Sequence, residues 1–140
     1  MIEVLLSAGS VIAIDQSSKK MIVRLLVKGQ FLSLGPLLRL RCVTNSRGSA
    51  GIIRNRLAWL LLWGLTALSL MILVQYGPFF GNHVARVGLG AALGGATSNV
   101  LDRLSRGAVI DFIDIGFRRV FNLADIAIVS GVTIAFWFMR

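Results

Sequence analysis

The chain opens on an apolar run broken only by Glu3, M-I-E-V-L-L-S-A-G-S-V-I-A-I over residues 1–14. As a helix it reaches about 21 Å, short of a bilayer's hydrocarbon core unless it continues past Asp15. A cleaved signal peptide is the rival reading. Glu3 in place of a basic start, and the lack of an A-x-A site before Asp15, favour a first span over about 1–15. D-Q-S-S-K-K follows, and Asp15 and Lys19 stand four apart, the spacing of a helical ion pair at a helix end. From about 20 to 56 the pattern changes to mixed apolar and basic residues with no acid. R-L-R-C-V-T alternates with period two, and Lys28-Gly29 and Gly35-Pro36 are turn signals. These predict a small β-rich insertion on the membrane surface, with T-N-S-R-G-S-A-G (44–51) as its polar tip.

Residues 57–74, L-A-W-L-L-L-W-G-L-T-A-L-S-L-M-I-L-V, are uncharged throughout. They measure about 27 Å as a helix and predict a span over about 57–75. G-P-F-F-G-N-H (77–83) reads as a tight loop. A third span, about 86–102, is rich in small residues, and Gly90, Gly94 and Gly95 suit close helix packing in lipid. Asn99 and Asp102 share a face of it, three apart. Residues 103–120 form a second basic connection, read as a short amphipathic helix. The fourth span, about 121–139, carries Asn122 and Asp125 in its first turn, where a carboxylate meets the favourable end of the helix dipole. The predicted fold is one membrane domain over 1–140, all-α with a small β element: four transmembrane helices, a surface β-cradle and a short amphipathic helix.

Composition supports the membrane reading. Hydrophobic residues make up 56% of the chain and charged residues 15%, against about 25% charged in a soluble domain. Mean hydropathy is +0.78. The net charge of +9 could suggest nucleic acid, but the apolar runs are too long. In a membrane protein such charge flanks spans and meets anionic lipid headgroups. A single cysteine, Cys42, excludes an internal disulfide, and with His83 as the one histidine no zinc site is expected.

Four of the six acidic residues, Asp102, Asp111, Asp114 and Asp125, fall within Ser98–Asp125, each close to strongly apolar sequence. Carboxylates are costly to place there. With an even number of spans, both long loops lie on one side of the membrane, and Asp15, Asp102, Asp111 and Asp125 gather at that side. Two carboxylates sharing a proton can activate water. Helix caps and arginine-paired aspartates explain the same residues equally well on spacing alone.

Four motifs in order separate these readings. D-Q-S-S-K at 15–19, N-V-L-D-R at 99–103, V-I-D-F at 109–112 and F-N-L-A-D at 121–125 resemble the D-Q-x-T-K, N-x-x-D-R, V-x-D-F and F-N-x-A-D motifs of lipoprotein signal peptidase, also called signal peptidase II. Any one of them is weak; the ordered set, over nearly the whole chain, is specific. The resemblance implies a membrane aspartic peptidase with Asp111 and Asp125 as the catalytic pair. It implies a diacylglyceryl-modified prolipoprotein substrate, cut just before the lipidated cysteine. Asn99, Asp102, Arg103 and Asn122 map onto family positions that support pair and substrate, with Arg103 placed to pair with Asp102. Asp15 and Lys19 fall in the first motif and Asn45 and Gly48 in the loop after the β-element, while Asp114 lies just outside the pair. The resemblance further implies a monomer in the bacterial inner (cytoplasmic) membrane, working on lipoproteins among membrane lipid, with no metal, cofactor or nucleic acid.

The chain departs from the family pattern at three places. Ser98 stands where the family usually has Gly, and Ser17 where it has Thr. The N-x-G-x-A-[FW] loop is altered: Asn45 lies three residues before Gly48, and Gly51 replaces the aromatic. That change motivates the alternative of a non-catalytic or altered-specificity relative that binds lipoproteins. Charge also conflicts with the family topology. Residues 16–56 hold nine Lys/Arg and 103–119 hold four, which by the positive-inside rule puts both loops in the cytoplasm. The family places the active site near the outer face, and that placement is followed here because the substrate cysteine lies there.

Overall fold

A computed structural model describes residues 1–26, 30–45, 56–76, 81–116 and 119–139. Among these described residues, four helices and a three-stranded antiparallel sheet occur in the order α1 (Ile2–Leu25), β1 (Phe31–Ser33), β2 (Arg39–Asn45), α2 (Arg56–Tyr76), α3 (His83–Arg106), β3 (Val109–Asp114) and α4 (Leu123–Trp137). The protein is thus mostly helical with a small sheet, as its apolar pattern predicts.

Several boundaries differ from expectation. The first helix does not stop at about residue 15 but runs to Leu25, so Asp15 and Lys19 lie within it rather than at its end. The β-rich insertion begins at Phe31, not at about 20. No short amphipathic helix occupies the described part of 103–120; α3 continues to Arg106, and Val109–Asp114 is a strand. V-I-D-F-I-D is rich in β-branched and aromatic residues, and β2 offers it an edge to pair with. The loop tip at 46–55, with Gly48, and residues 77–80 lie outside the described residues.

The helix α3 is the centre of the bundle, packed between α1 and α4. Its glycines make this possible. A Cβ at Gly94 would stand 2.6 Å from the Ala8 carbonyl oxygen of α1, and one at Gly88 would stand 2.7 Å from that of Gly131 in α4. Backbones at that separation gain dispersion contacts that larger side chains would prevent. The helix α2 joins from the side, where Trp63 Nε1 donates to Thr97 Oγ1 at 3.1 Å. At one end of the bundle the core is apolar, built from Val4, Val74, Ala85, Leu89 and Ala135. At the other end it is polar: the largest fully buried side chains are Lys19, Asn122, Asp15, Asp102 and Ser98.

Among the described residues, no helix is long and apolar enough to cross a membrane. Charged side chains stand within α1 and α3, and α4 has 15 residues.

The sheet caps the polar end in the order β1-β2-β3. Val43 lies opposite Asp111 and Asn45 opposite Val109, with an irregularity between Leu40 and Val43. Beyond β3 the chain doubles back, and Phe121 exchanges backbone hydrogen bonds with Ile113 at 2.8 and 3.0 Å. That bridge sets Asn122, the next residue, against β3 just as α4 begins.

Candidate active site

The polar end is built on the ion pair that α1 makes with itself. Lys19 Nζ lies 2.6 Å from Asp15 Oδ2 and 2.7 Å from Asp102 Oδ2 of α3. Arg106, one turn beyond Asp102, pairs with the other Asp102 oxygen. Gln16 Nε2 donates to Asp102 Oδ1 and to Ser98 Oγ, both at 2.9 Å. Ser98 Oγ in turn donates to Asp15 Oδ2 at 2.6 Å. The remaining Asp15 oxygen accepts from the Ala124 backbone N–H of α4 at 2.9 Å. Three helices are therefore tied at one buried point. Desolvation offsets most of the attraction in such a cluster, so its main effect is to hold geometry.

Asp111 and Asp125 lie beside this cluster, joined through Asn122. Asn122 Nδ2 donates to Asp111 Oδ1 at 2.8 Å. Asn122 is also the N-cap of α4: its Oδ1 accepts from the Asp125 N–H at 2.9 Å, and its own N–H donates to Asp125 Oδ2 at 3.4 Å. The cap that starts α4 thus also positions both carboxylates. Asn99 Nδ2 donates to Asp125 Oδ1 at 2.9 Å, and Asn45 Nδ2, from the end of β2, donates to Asp111 Oδ2 at 3.2 Å. Asp111 is buried and Asp125 is partly open. Burial pushes the Asp111 carboxyl above its usual range, and the charge of Asp125 adds to the rise; the Asn45 and Asn122 amides and the Lys19 charge act against it. Two carboxyl groups held side by side by shared amide partners, one of them pushed toward its protonated form by burial, are an arrangement suited to acid–base activation of water.

The raised value has a consequence for stability. With the folded-state value the higher one, folding takes up a proton at Asp111 between the ordinary carboxylate value and the raised one. The site therefore costs stability above that window, and the cost is relieved as pH falls through it. Asp111→Asn has no proton to gain. Its thermal midpoint relative to wild type is expected to move in the variant's favour as pH is raised from about 4 to 7. A difference that stays flat, or runs the other way, overturns the assignment.

Asp125 opens onto a cavity of about 290 Å³ between α2, α3 and α4. Leu62, Trp63, Leu93, Val100 and Ile128 contribute apolar walls, and Asn99 and Arg103 line it with Asp125.

The matching family model is that of Signal peptidase (SPase) II, and it covers residues 7–140. The chain belongs to the signal peptidase II family. It is 39% identical over 136 residues to the lipoprotein signal peptidase of Moorella thermoacetica, covering 95% of this chain and 89% of that one. It is 32% identical over 124 residues to that of Shouchella clausii, covering 87% and 82%. A solved structure described as a bacterial membrane enzyme, determined in meso at 1.9 Å, superposes with a TM-score of 0.85 at 24% identity, covering 96% of this chain and 90% of that one. That likeness speaks to the fold.

The signal peptidase II motifs converge in space: Asp15, Lys19, Asn99, Asp102, Asp111, Asn122 and Asp125 form one connected network. Asn45 joins it despite the altered loop spacing, while Gly48 lies outside the described residues. Two expectations change. The ion pairs of Asp102 run to Lys19 and Arg106, not to Arg103, whose Nη1 donates to the Asn99 carbonyl oxygen at 3.1 Å. A residue next in sequence points about 100° around the helix, whereas one four along shares a face. Asp114 sits at the sheet's far end, 3.2 Å from Arg41 Nε. Sequence reasoning missed Gln16, Ser98 and Arg106 as members. The four-residue step from Asp102 was the available signal for Arg106. The Ser98 departure from the family's Gly supplies the hydroxyl that bridges Gln16 and Asp15.

Proposed function

We propose that the protein is a membrane aspartic endopeptidase that removes the signal peptide from diacylglyceryl-modified prolipoproteins, cutting before the lipidated cysteine. The observation that carries this reading is the pair Asp111 and Asp125, both hydrogen-bonded to Asn122, with Asp125 opening onto an apolar cavity. In the proposed reaction the carboxylate of Asp125 takes a proton from water, and the hydroxide forms a bond to the scissile carbonyl carbon. Asp111, buried and proton-bearing, donates to the carbonyl oxygen as it becomes tetrahedral. As that intermediate collapses, Asp111 takes back a proton from its hydroxyl, the carbonyl re-forms, the C–N bond breaks, and Asp125 passes the proton it took from water to the leaving amine of the cysteine. Neither metal nor cofactor enters these steps.

In this reading the four helices lie together in the bilayer as a single membrane domain, although among the described residues no helix is by itself long and apolar enough to cross it. Leu5, Leu6, Leu61, Leu65, Leu68, Val129, Val132 and Phe136 stand more than half exposed on α1, α2 and α4. So much outward apolar surface is unfavourable in water and at rest against lipid tails. Asp15, Lys19 and Asp102 of α1 and α3 lie inside the bundle, where they pair with each other rather than meet lipid, while Lys20, Arg24 and Arg106 stand exposed. In this reading the polar end sits near the outer face of a bacterial inner membrane, and the basic residues of the sheet meet headgroups there. The enzyme works as a monomer.

The experiment uses purified protein in detergent micelles with a synthetic prolipoprotein peptide, prepared with and without its diacylglyceryl group. Cleavage of the lipidated peptide alone, at the bond before cysteine, is expected. The lipid's roughly thirty methylene groups, at about 0.8 kcal/mol per buried CH₂, dominate recognition. Stable binding of the lipidated peptide without cleavage would instead identify a lipoprotein-binding relative. Equal cleavage of both peptides would remove the lipid from the specificity.

A further inference from the structure

We propose that Lys19 is a positioning residue for the reaction: its ammonium fixes the orientation of the Asn99 side-chain amide, and so decides which atom of Asn99 faces Asp125. This rests on the peptidase reading above.

An ammonium group has three hydrogens, and the buried Lys19 places all of them. Two go to Asp15 and Asp102. The third goes to Asn99 Oδ1 at 3.2 Å. An amide has one acceptor end and one donor end, so a cation held at Oδ1 forces the donor end the opposite way. That end, Nδ2, is the one that meets Asp125 Oδ1 at 2.9 Å.

Without the cation the Asn99 amide is held in this sense by Asp125 at its donor end and by a shared Asn122 hydrogen at its acceptor end. Asn122 Nδ2 also reaches Asn99 Oδ1, at 3.1 Å, but the same NH₂ is engaged at 2.8 Å by Asp111 and lies 3.3 Å from the Ile110 carbonyl. Two hydrogens are thus shared among three acceptors. Asn122 cannot turn to help, because its Oδ1 is committed to the Asp125 backbone N–H. A turned Asn99 would present an oxygen to the Asp125 carboxylate, two acceptors face to face, and the carboxylate would swing from its place beside Asp111. Lys19 makes no hydrogen bond to Asp111 or Asp125; its charge acts on Asp111 at a distance, and its orienting effect on Asp125 passes through Asn99.

The test is a double-mutant cycle on Lys19→Met and Asn99→Ala, measured as kcat and KM on the lipidated peptide. Each single variant is expected to lower kcat by about 10²-fold, the order of loss from a misplaced reacting group, with KM within about twofold. The double variant is expected to match Asn99→Ala alone, because Lys19 has nothing left to orient. Lys19→Met leaves Asp15 and Asp102 with one cation fewer, so the cycle is repeated with Asp15→Asn throughout, which restores the charge balance. If Lys19→Met does not fold, this second cycle alone decides.

Losses that multiply in the double variant overturn the inference. So does recovery of kcat in Lys19→Met with Asp15→Asn, which would reduce Lys19 to a charge balancer. Failure of the underlying reading looks different: Asp111→Asn and Asp125→Asn would then keep their turnover. If those two are inactive while the cycle multiplies, only the role of Lys19 falls.

Discussion

Asp111→Asn and Asp125→Asn are each expected to abolish cleavage of a lipidated prolipoprotein peptide, with kcat lower by on the order of 10⁴-fold and the fold intact. The substitution is nearly isosteric and leaves neighbouring donors in place. Asn99 Nδ2 still has an oxygen to donate to at position 125, and Asn122 still has one at position 111. What is lost is the capacity to give or take a proton. A carboxamide at 125 cannot accept the proton of water, and one at 111 cannot release a proton to the carbonyl oxygen. The measurement is single-turnover cleavage, with circular dichroism to confirm helical content. Asp114→Asn is the matched control: Asp114 pairs with the half-exposed Arg41 at the far end of the sheet, so activity within about twofold of wild type is expected. Near-normal turnover by either of the first two variants would falsify the aspartic mechanism.

Asp102→Ala is expected to be the most destabilising single change at the polar end, at about 3–5 kcal/mol. The side chain is fully buried. It pairs with Lys19 and Arg106, accepts from Gln16 at 2.9 Å, and lies 3.4 Å from the Ile110 N–H of β3. Alanine leaves Lys19 in the interior with one carboxylate, in surroundings that solvate charge poorly, whereas the exposed Arg106 can turn to water. Asp102→Asn keeps an acceptor for Gln16 and costs less. Arg41→Ala, which strips a partly exposed pair, is expected to cost under about 1 kcal/mol. Thermal unfolding in micelles ranks the three, and an Asp102→Ala midpoint close to wild type would show that the cluster carries little of the fold's stability.

The order of the helices could be read from the chain because each apolar run is long and punctuated. Residues 57–74 carry no charge, and the helix there is Arg56–Tyr76. The extent of α1 could not be read this way. D-Q-S-S-K-K looks like a helix end because its polar side chains would be stranded in an apolar setting. Asp102, Ser98 and the Ala124 N–H supply partners from 80 or more residues away, and with them the helix runs on to Leu25. Val109–Asp114 was hidden for a related reason. A short alternation of apolar and acidic residues fits a helix face or a strand, and the edge of β2 decided between them.

The candidate site divides in the same way. Sequence by itself determined which residue types are present and in what order: the four motifs, the family they mark, and the unusual cost of aspartates set beside apolar runs. It also determined the one contact local spacing can make, Asp15 with Lys19 at i, i+4. Only the tertiary structure decided partners across the chain. It gave Asp102 to Lys19 and Arg106 instead of Arg103, sent Asp114 to Arg41, and brought Asn45 to Asp111 although its loop spacing departs from the family's. The physical reason is directional. A helix's 3.6-residue period fixes neighbours within a turn. Which side chain meets a carboxylate from another element depends on the close approach of α1 and α4 to α3, permitted by glycine, and on the register of β3 against β2 and Phe121.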